Sequence, residues 1–205
     1  MKFQNGAIMK QMLAMLLLVA AMLSCNSAGK QSAENETKPA GLMMKEPTEA
    51  EQREIKADVM ARVAEIYSLV EAAYRSTADM GPDVDIDREF CTRSWCDLRD
   101  KVLEKQRRTE YLCLDMDYWV MGQDVDRFYA DSFEFVGFDE ADKGRVIVSL
   151  KVHNMDSETP VELELVRSDG EWRIDNFKDL KYDIDFRVMM EDYMEEDLDA
   201  NSERQ

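Results

Sequence analysis

Residues 145–153 read RVIVSLKVH and residues 161–167 read VELELVR, and in both segments apolar and polar side chains alternate. Alternation with a period of two predicts strands that bury one face of a sheet. The buried face would hold Val146, Val148, Leu150, Val152, Val161, Leu163 and Leu165. Ser168-Asp169-Gly170 predicts a tight turn, and residues 172–177 (WRIDNF) predict the strand that follows it. With residues 132–138 (SFEFVGF), these segments predict four consecutive antiparallel strands.

The residues before and after these strands have helical periodicity. Thr48 and Glu51 form a capping box, and the apolar residues that follow recur every three or four positions. This pattern predicts a long helix over residues 48–76, and weaker patterns predict helices over 94–111 and 185–198. Residues 112–126 are predicted to form a loop that packs Tyr118 and Trp119 inward. The fold class is therefore α+β: a long N-terminal helix and smaller helices packed on a curled four-stranded antiparallel sheet.

The N-terminus has the pattern of a secretory signal peptide. Residues 1–24 contain Lys2 and Lys10, no acidic residue, and an apolar run over residues 12–23. That run is shorter than the roughly 20 apolar residues of a membrane-spanning helix. Cys25 follows Ser24 directly, which resembles the lipobox of bacterial lipoproteins, where the peptidase cuts before the Cys and the Cys carries lipid such as palmitate. Cleavage by the ordinary signal peptidase and retention as a membrane anchor are the two alternatives.

The chain therefore divides into four parts. A lipoprotein signal peptide over 1–24 precedes the lipidated Cys25 and a flexible tether over 25–47, whose residues are polar and lack periodicity. The α+β domain covers 48–185, and an acidic C-terminal helix and tail cover 186–205. Asn26 follows the Cys, and the resemblance to Gram-negative lipoproteins then implies anchoring to the outer membrane, on its periplasmic side. The cell envelope is the expected location, with the periplasmic or surface face left open.

The charge of the chain excludes some functions. The 205 residues include 44 Asp and Glu against 26 Lys and Arg, so the formal net charge is −18. Such a chain repels phosphate backbones, and no nucleic-acid partner is expected. With one His, a His-rich metal centre is excluded. A calcium loop counted from Asp115 would place Trp119 and Val120 at its fifth and sixth positions, so that motif fails. We predict no metal and no cofactor.

Three cysteines remain beyond Cys25. These are Cys91, Cys96 and Cys113, so at most one intramolecular disulfide forms among them and one thiol is left over. An exported protein meets an oxidising compartment, which favours one bridge. The spacing does not select the pair, and three buried thiols are the alternative.

The acidic C-terminus is a candidate docking surface for a basic protein partner.

Two short segments carry a resemblance to known proteins. Residues 169–172 (DGEW) and 174–177 (IDNF), with Tyr118-Trp119 and Gln123-Asp124 upstream, resemble small bacterial envelope lipoproteins that carry a domain of unknown function. The element order over about residues 48–180 resembles the nuclear transport factor 2-like fold, also called cystatin-like. The sheet of that fold often encloses a pocket, and several of its members dimerise through the sheet, which makes a homodimer a candidate here.

The resemblance lends no catalytic residues, so the expected function is a non-catalytic envelope lipoprotein that binds a protein partner or a small ligand. The candidate pocket-lining residues are Tyr67, Tyr74, Tyr118, Trp119 and Trp172. Core packing is the alternative for these aromatic residues. The alternative function is an isomerase, dehydratase or hydrolase that uses Asp or Tyr residues in the pocket. An aromatic-filled interior favours binding, whereas an open cavity with buried, paired carboxylates favours an enzyme.

Overall fold

The computed structural model describes residues 47–76, 84–109, 111–139, 141–142 and 144–196. Its helices are α1 (Glu49–Ser76), α2 (Ile86–Phe90), α3 (Arg93–Thr109) and α4 (Phe186–Glu195). Its strands are β1 (Tyr129–Phe138), β2 (Arg145–Asn154), β3 (Ser157–Ser168), β4 (Glu171–Asp179) and β5 (Ile184–Asp185). The chain is α+β, as predicted. The predicted signal peptide, Cys25 and the tether before Pro47 lie outside the described residues.

The capping box at the start of α1 is confirmed. The Glu51 carboxylate accepts the Thr48 N–H at 2.7 Å, and the Thr48 hydroxyl accepts the Glu51 N–H at 3.3 Å. These reciprocal bonds satisfy two backbone donors that a helix start otherwise leaves open. Further along α1, the apolar stripe is completely buried at Val59, Val63, Ile66 and Val70. One face of α1 therefore packs into the core, as its periodicity predicts.

The sheet is an antiparallel meander whose strand order, β1-β2-β3-β4-β5, follows the chain order. The alternating side chains of β2 and β3 are buried on the face that the sequence predicts. Asp169 and Gly170 connect β3 to β4 with φ values of 54° and 87°. Positive φ at both central residues matches the turn geometry that suits the twist of a two-residue hairpin. The predicted turn is thus confirmed, and the sheet remains open at both edges.

Two features of the fold depart from the prediction. The sheet has five strands rather than four, because Ile184 and Asp185 pair with Asp179 and Lys178 before the chain enters α4. A two-residue strand is too short to show alternation, so the sequence pattern does not reveal it. The second departure is α2, which lies in a stretch without helical periodicity. It has only five residues, and Asp85 caps it by accepting the Arg88 N–H at 3.3 Å.

Aromatic rings fill the space between the helices and the sheet. Trp95 of α3 and Trp119 of the loop each pack against Phe177 of β4, with ring centroids 5.1 Å and 4.9 Å apart. Tyr118 packs between Phe177 and Phe186 of α4. The inward packing predicted for Tyr118 and Trp119 is therefore observed. Helix α4 contributes buried Phe186, Met190 and Tyr193 to the same core.

Among the described residues, no helix combines the length and the apolar character needed to span a bilayer.

Candidate functional site

A cleft of about 410 Å³ opens between α2, the N-terminal half of α3 and the loop that follows α3, and we call it the acidic cleft. Its carboxylates and their one basic neighbour are Asp85, Asp87, Asp115, Asp117 and Arg99. Its aromatic and apolar walls include Tyr74, Tyr118, Trp119, Val84, Leu103 and Met116. An apolar wall around a few convergent polar groups, at this volume, is typical of a ligand site.

Asp87 occupies the second position of α2 and lies at the base of the acidic cleft with 3% of its surface exposed. Its carboxylate accepts the indole N–H of Trp119 at 2.6 Å and a guanidinium N–H of Arg99 at 2.6 Å. The hydroxyl of Tyr118 also donates to it. A buried carboxylate with three donors is fixed in position, because each lost bond would leave a buried polar group unpaired.

Arg99 joins α3 to α2. Its guanidinium donates to both carboxylate oxygens of Asp85, at 2.8 and 2.9 Å, as well as to Asp87. It also donates to Asp100 at 2.8 Å. The planar fork of an arginine suits such multiple pairing. These bonds, first of all those to Asp85, raise the pKa of Arg99, and in return the bond from Arg99 lowers the pKa of Asp85.

Asp117 is the second carboxylate held by hydrogen bonds in the acidic cleft, and it is half-buried. It accepts the hydroxyl of Tyr74 and the backbone N–H of Trp119, the latter at 2.8 Å. Burial raises the pKa of this carboxyl, and the two hydrogen bonds oppose that rise without cancelling it. Burial and the neighbouring Asp117 also raise the pKa of Tyr74. The proton between these two groups therefore stays on the tyrosine, with Asp117 as the acceptor.

The loop that carries Asp117 is closed on itself and tied to the sheet. Asp117 and Gly122 exchange backbone hydrogen bonds at 2.9 and 3.3 Å. Asn154 at the end of β2 then donates to the carbonyl of Asp124 at 2.8 Å and accepts the N–H of Asp126 at 3.1 Å. A Cβ added at Gly122 would lie 2.8 Å from the Asn154 amide nitrogen. Glycine at this position therefore permits the approach that fixes the wall of the cleft.

The structure separates the five aromatic residues that were expected to line one pocket. Tyr74, Tyr118 and Trp119 line the acidic cleft. Tyr67 lies deeper, 1% exposed and 5.9 Å from Trp119 between ring centroids, and its hydroxyl has no hydrogen-bond partner within the described part of the chain. Trp172 lies elsewhere on the sheet, where its indole N–H donates to Asp58 of α1 at 3.0 Å.

The three described cysteines are free thiols in this structure, and Cys113 is separated from the other two. Cys91 and Cys96 lie buried at the junction of α2 and α3, where both line a second cleft. Cys113 is partly buried in the loop after α3, and its thiol faces the Met189 carbonyl of α4 at 3.8 Å. Cys25 falls outside the described residues. Among the residues that the structure describes, no group of three or more His, Cys, Asp or Glu side chains is arranged to hold a metal ion.

Sequence reasoning missed Asp87 and Arg99 as site residues. They are 12 residues apart, and neither belongs to a recognisable motif. The Asp83-Val84-Asp85-Ile86-Asp87 run invites comparison with a calcium loop, which it fails because Arg88 occupies the sixth position. The available signal was a different one: two carboxylates two residues apart, at the cap and in the first turn of a short helix, form an ion-pair network with an arginine on the next helix.

The acidic cleft is not the largest depression on the described surface. A cleft of about 760 Å³ lies beside the first turns of α1 and is lined by Glu51, Glu54, Asp58 and Arg167 with Ile55 and Ala57. Its charged side chains belong to exposed or half-exposed residues, and it contains no aromatic wall. Size alone does not make a ligand site, since buried polar groups must converge on an apolar space. The acidic cleft meets that condition.

No protein-family model matches this sequence, and no curated protein matches it. Among solved structures, this chain is similar to the phospholipid-binding protein from Ralstonia solanacearum, which was solved in complex with a phospholipid. The two are 14% identical, the match covers 73% of this chain and 88% of that chain, and the TM-score is 0.35. A likeness at this level carries no conclusion about the fold family or the ligand of this chain.

Proposed function

We propose that this chain is a non-catalytic lipoprotein of the bacterial cell envelope that binds a small ligand in the acidic cleft. The observation that carries the binding role is the convergence of the buried carboxylate of Asp87 and the half-buried carboxylate of Asp117 on a cleft walled by Tyr74 and Trp119. Hydrogen bonds hold both carboxylates before any ligand arrives. Such preorganisation lowers the cost of binding.

The charge of the cleft favours a cationic ligand. Four carboxylates line it, and Arg99 is the one basic residue among the lining side chains. An ammonium group placed there would meet carboxylate oxygens below it and aromatic faces beside it. The apolar wall at Val84, Leu103 and Met116 would cover a hydrocarbon or aromatic body. The ligand class that fits is a small organic amine with an apolar body.

Calorimetric titration with a matched pair of probes tests this function. Phenethylamine and phenylpropionate share a body and carry opposite charges, and we expect only the amine to bind. Asp117→Asn should weaken amine binding about tenfold, because it removes a charge that contacts the ammonium. Asp126→Asn is the control, since Asp126 is exposed and does not line the cleft. Equal binding of both probes, or of the amine to both variants, would contradict the proposal.

The lipid anchor is proposed from the sequence, in which the apolar run over residues 12–23 ends immediately before Ser24-Cys25. An acyl chain contributes about 0.8 kcal/mol for each buried methylene, so several chains on one Cys hold a protein to a bilayer. Labelling cells with radioactive palmitate tests the anchor. The wild type should carry label and fractionate with outer membranes, whereas Cys25→Ser should lose both properties. A labelled Cys25→Ser protein would rule out this attachment site.

The nuclear transport factor 2-like fold is also part of the proposal. It is supported by the long helix α1, the short helices that follow it, and the antiparallel meander that comes after them in the chain. A crystal structure of residues 47–196 would test it by superposition on members of that fold.

Two partners are proposed as well. A homodimer through the sheet would appear as a doubled mass in light scattering. A basic partner at α4 would bind the wild type and release it when Glu191 and Asp192 are both changed to Ala.

One observation favours a second function, an acid–base enzyme of the isomerase, dehydratase or hydrolase type. Asp117 is a half-buried carboxyl with a raised pKa beside the hydroxyl of Tyr74, and such groups are typical of catalytic sites. In this alternative Asp117 would be the general base and Tyr74 the group that positions it. Amines that also carry a hydroxyl group to eliminate or an ester to hydrolyse, turned over by the wild type but not by Tyr74→Phe or Asp117→Asn, would favour the enzyme over the binding protein.

A further inference from the structure

Cys91 and Cys96 lie on the two sides of a helix cap. The Thr92 carbonyl accepts the first helical bond of α3, from the Cys96 N–H at 3.1 Å. The Thr92 hydroxyl accepts the Trp95 N–H at 3.1 Å, as the side chain of an N-cap residue does. Thr92 is therefore the N-cap of α3, which places Cys91 just before the cap and Cys96 at the fourth helical position.

Those two positions are the ones that contact each other in a hydrophobic staple, the pairing that fixes the angle at which the chain enters a helix. Cys91 and Cys96 are 2% and 3% exposed, as staple residues should be. Both line one cleft of about 430 Å³, which we call the thiol cleft. The α2–α3 junction therefore brings two sulfur atoms to the place where most helices have two apolar side chains.

The structure also keeps the third cysteine away from this pair. Cys113 follows the C-terminal end of α3, which ends at Thr109, whereas the pair lies at the N-terminal end of this 17-residue helix. The thiol of Cys113 faces the Met189 carbonyl of α4, and Cys113 does not line the thiol cleft. Of the three pairings that the sequence leaves open, the fold therefore favours Cys91 with Cys96.

The junction that holds the pair is itself anchored to the sheet. The Thr92 N–H donates to the Ile174 carbonyl of β4 at 2.8 Å, and the Thr92 hydroxyl donates to Asp175 at 2.5 Å. Arg145 and Arg187 pair with the same Asp175 carboxylate, each at 2.9 Å. The backbone between the two cysteines is thus held in one arrangement, which limits how far apart the sulfurs can move.

We propose that Cys91 and Cys96 form the disulfide of the exported protein. The bond is made by exchange with an oxidised dithiol protein of the envelope. The thiolate of one cysteine attacks a sulfur of that disulfide, and the second cysteine then displaces the partner. The chain loses two protons and two electrons, and the partner protein leaves as a dithiol. The location in this inference rests on the proposed function, whereas the choice of pair rests on the cap geometry.

The bond would form while the chain folds. Burial raises the pKa of both thiols, so few thiolates are present once the native state is reached. The bridge would tie α2, which carries Asp87 and is capped by Asp85, to α3, which carries Arg99. It would therefore hold together the two elements that form the base of the acidic cleft.

Peptide mapping of the full chain, isolated from cell envelopes without reductant, tests the pair directly. Trypsin cuts after Arg88, Arg93 and Arg99, so the bridge would join peptide 89–93 (EFCTR) to peptide 94–99 (SWCDLR). We expect this linked pair in the wild type and in Cys113→Ser, and unlinked peptides in Cys91→Ser. Alkylation under denaturing conditions should label Cys113 before reduction, and Cys91 and Cys96 only after it.

A second experiment tests the cysteine pairing independently of the proposed envelope location. Reduced, unfolded protein is refolded with glutathione disulfide and mapped in the same way. A Cys91–Cys96 bridge made in refolding but absent in cells would contradict the envelope location and leave the pairing supported. A bridge to Cys113, or three free thiols after refolding, would overturn the inference itself. Reduction of the correctly bridged protein should lower its Tm by about 5 °C.

Discussion

At the scale of single residues, the acidic cleft depends on one carboxylate. Asp87 accepts bonds from α3 through Arg99 and from the loop through Tyr118 and Trp119. Three segments that are separate in the chain therefore meet at one side chain. Loss of this carboxylate is costly, because Arg99 loses its most buried partner and two further donors lose a charged acceptor.

We expect Asp87→Asn to lower the free energy of unfolding by about 3 kcal/mol, since Arg99 keeps only its more exposed partners Asp85 and Asp100 and the buried donors of Tyr118 and Trp119 lose a charged acceptor. Urea denaturation of the two proteins measures the difference. Asp97→Asn is the matched control on α3, because Asp97 and its partner Arg93 are largely exposed. The control should change the free energy by no more than about 0.5 kcal/mol. Equal effects of the two substitutions would show that the Asp87–Arg99 contact is not important for stability.

Asp117 predicts a pH dependence with a definite sign. The pKa of Asp117 in the folded protein is raised above the ordinary value of 3.8. At a pH between 3.8 and that raised pKa, the folded protein therefore binds more protons than the unfolded chain. The free energy of unfolding then falls as pH rises through that window. Asp117→Asn removes the titrating carboxyl and with it this pH dependence. The stability of the variant relative to the wild type should therefore increase from pH 4 to pH 7. Thermal unfolding at stepped pH, with Asp126→Asn as the flat control, measures it.

At the scale of elements, two helices are joined by a lysine. Lys105 of α3 is 8% exposed, and its ammonium donates to the Tyr193 carbonyl at 2.5 Å and to the Glu196 carbonyl at 2.6 Å. These carbonyls lie at the C-terminal end of α4, where a helix leaves acceptors unsatisfied and carries partial negative charge. The lysine therefore caps α4 from a neighbouring helix.

Replacing Lys105 with Met keeps the stem and removes the cap. We expect a loss of about 1–3 kcal/mol, because the last carbonyls of α4 would stay buried without a donor. Amide hydrogen exchange should show faster exchange in α4 while β2 and β3 keep their protection. Lys101→Met, at an exposed position of the same helix, is the control and should exchange as the wild type does. Unchanged exchange in α4 would contradict the capping role.

The loop that carries Asp117 depends on Gly122. Gly122→Ala would place its Cβ 2.8 Å from the Asn154 amide nitrogen, so Asn154 must move and lose a bond to Asp124 or Asp126. We expect a destabilisation of about 1–3 kcal/mol in urea denaturation. Asn154→Ala lacks the clashing atom, so the alanine at 122 should cost much less in that background. Additive effects of the two substitutions would show that the two side chains do not clash.

At the scale of the whole molecule, regular elements could be predicted from the sequence and the cleft could not. Val146 to Val152 and Val161 to Leu165 alternate because one face of each strand is buried, and α1 shows the period of a helix packed on one side. Helix α2 shows neither pattern. Its five residues are held by the Asp85 cap and by Arg99 from a later helix. Such contacts depend on tertiary packing, which local periodicity does not record.

The residues of the candidate site could likewise be predicted only in part from the sequence. Tyr74, Tyr118 and Trp119 were recognisable as inward-facing aromatic residues, and they do line the acidic cleft. Trp172 was also expected to face inward, yet it lies outside the acidic cleft and donates a hydrogen bond to Asp58 of α1. Aromatic character predicts burial, but the choice of which rings share a cavity depends on how α2 and the loop are placed. Asp87 and Arg99 acquire their importance only from that placement.

The meander order of the sheet has a consequence for the rate and order of folding. Every strand pairs with its neighbours in sequence, so each hairpin can close once its two strands are free to fold, and such local pairing speeds folding. Helix α1 is in the opposite situation. It is made first, yet Trp172 contacts Asp58 across 114 positions of the chain. The apolar stripe of α1 therefore stays uncovered until the strands that follow it in the chain have folded against it, and this interval is when the chain most needs a chaperone.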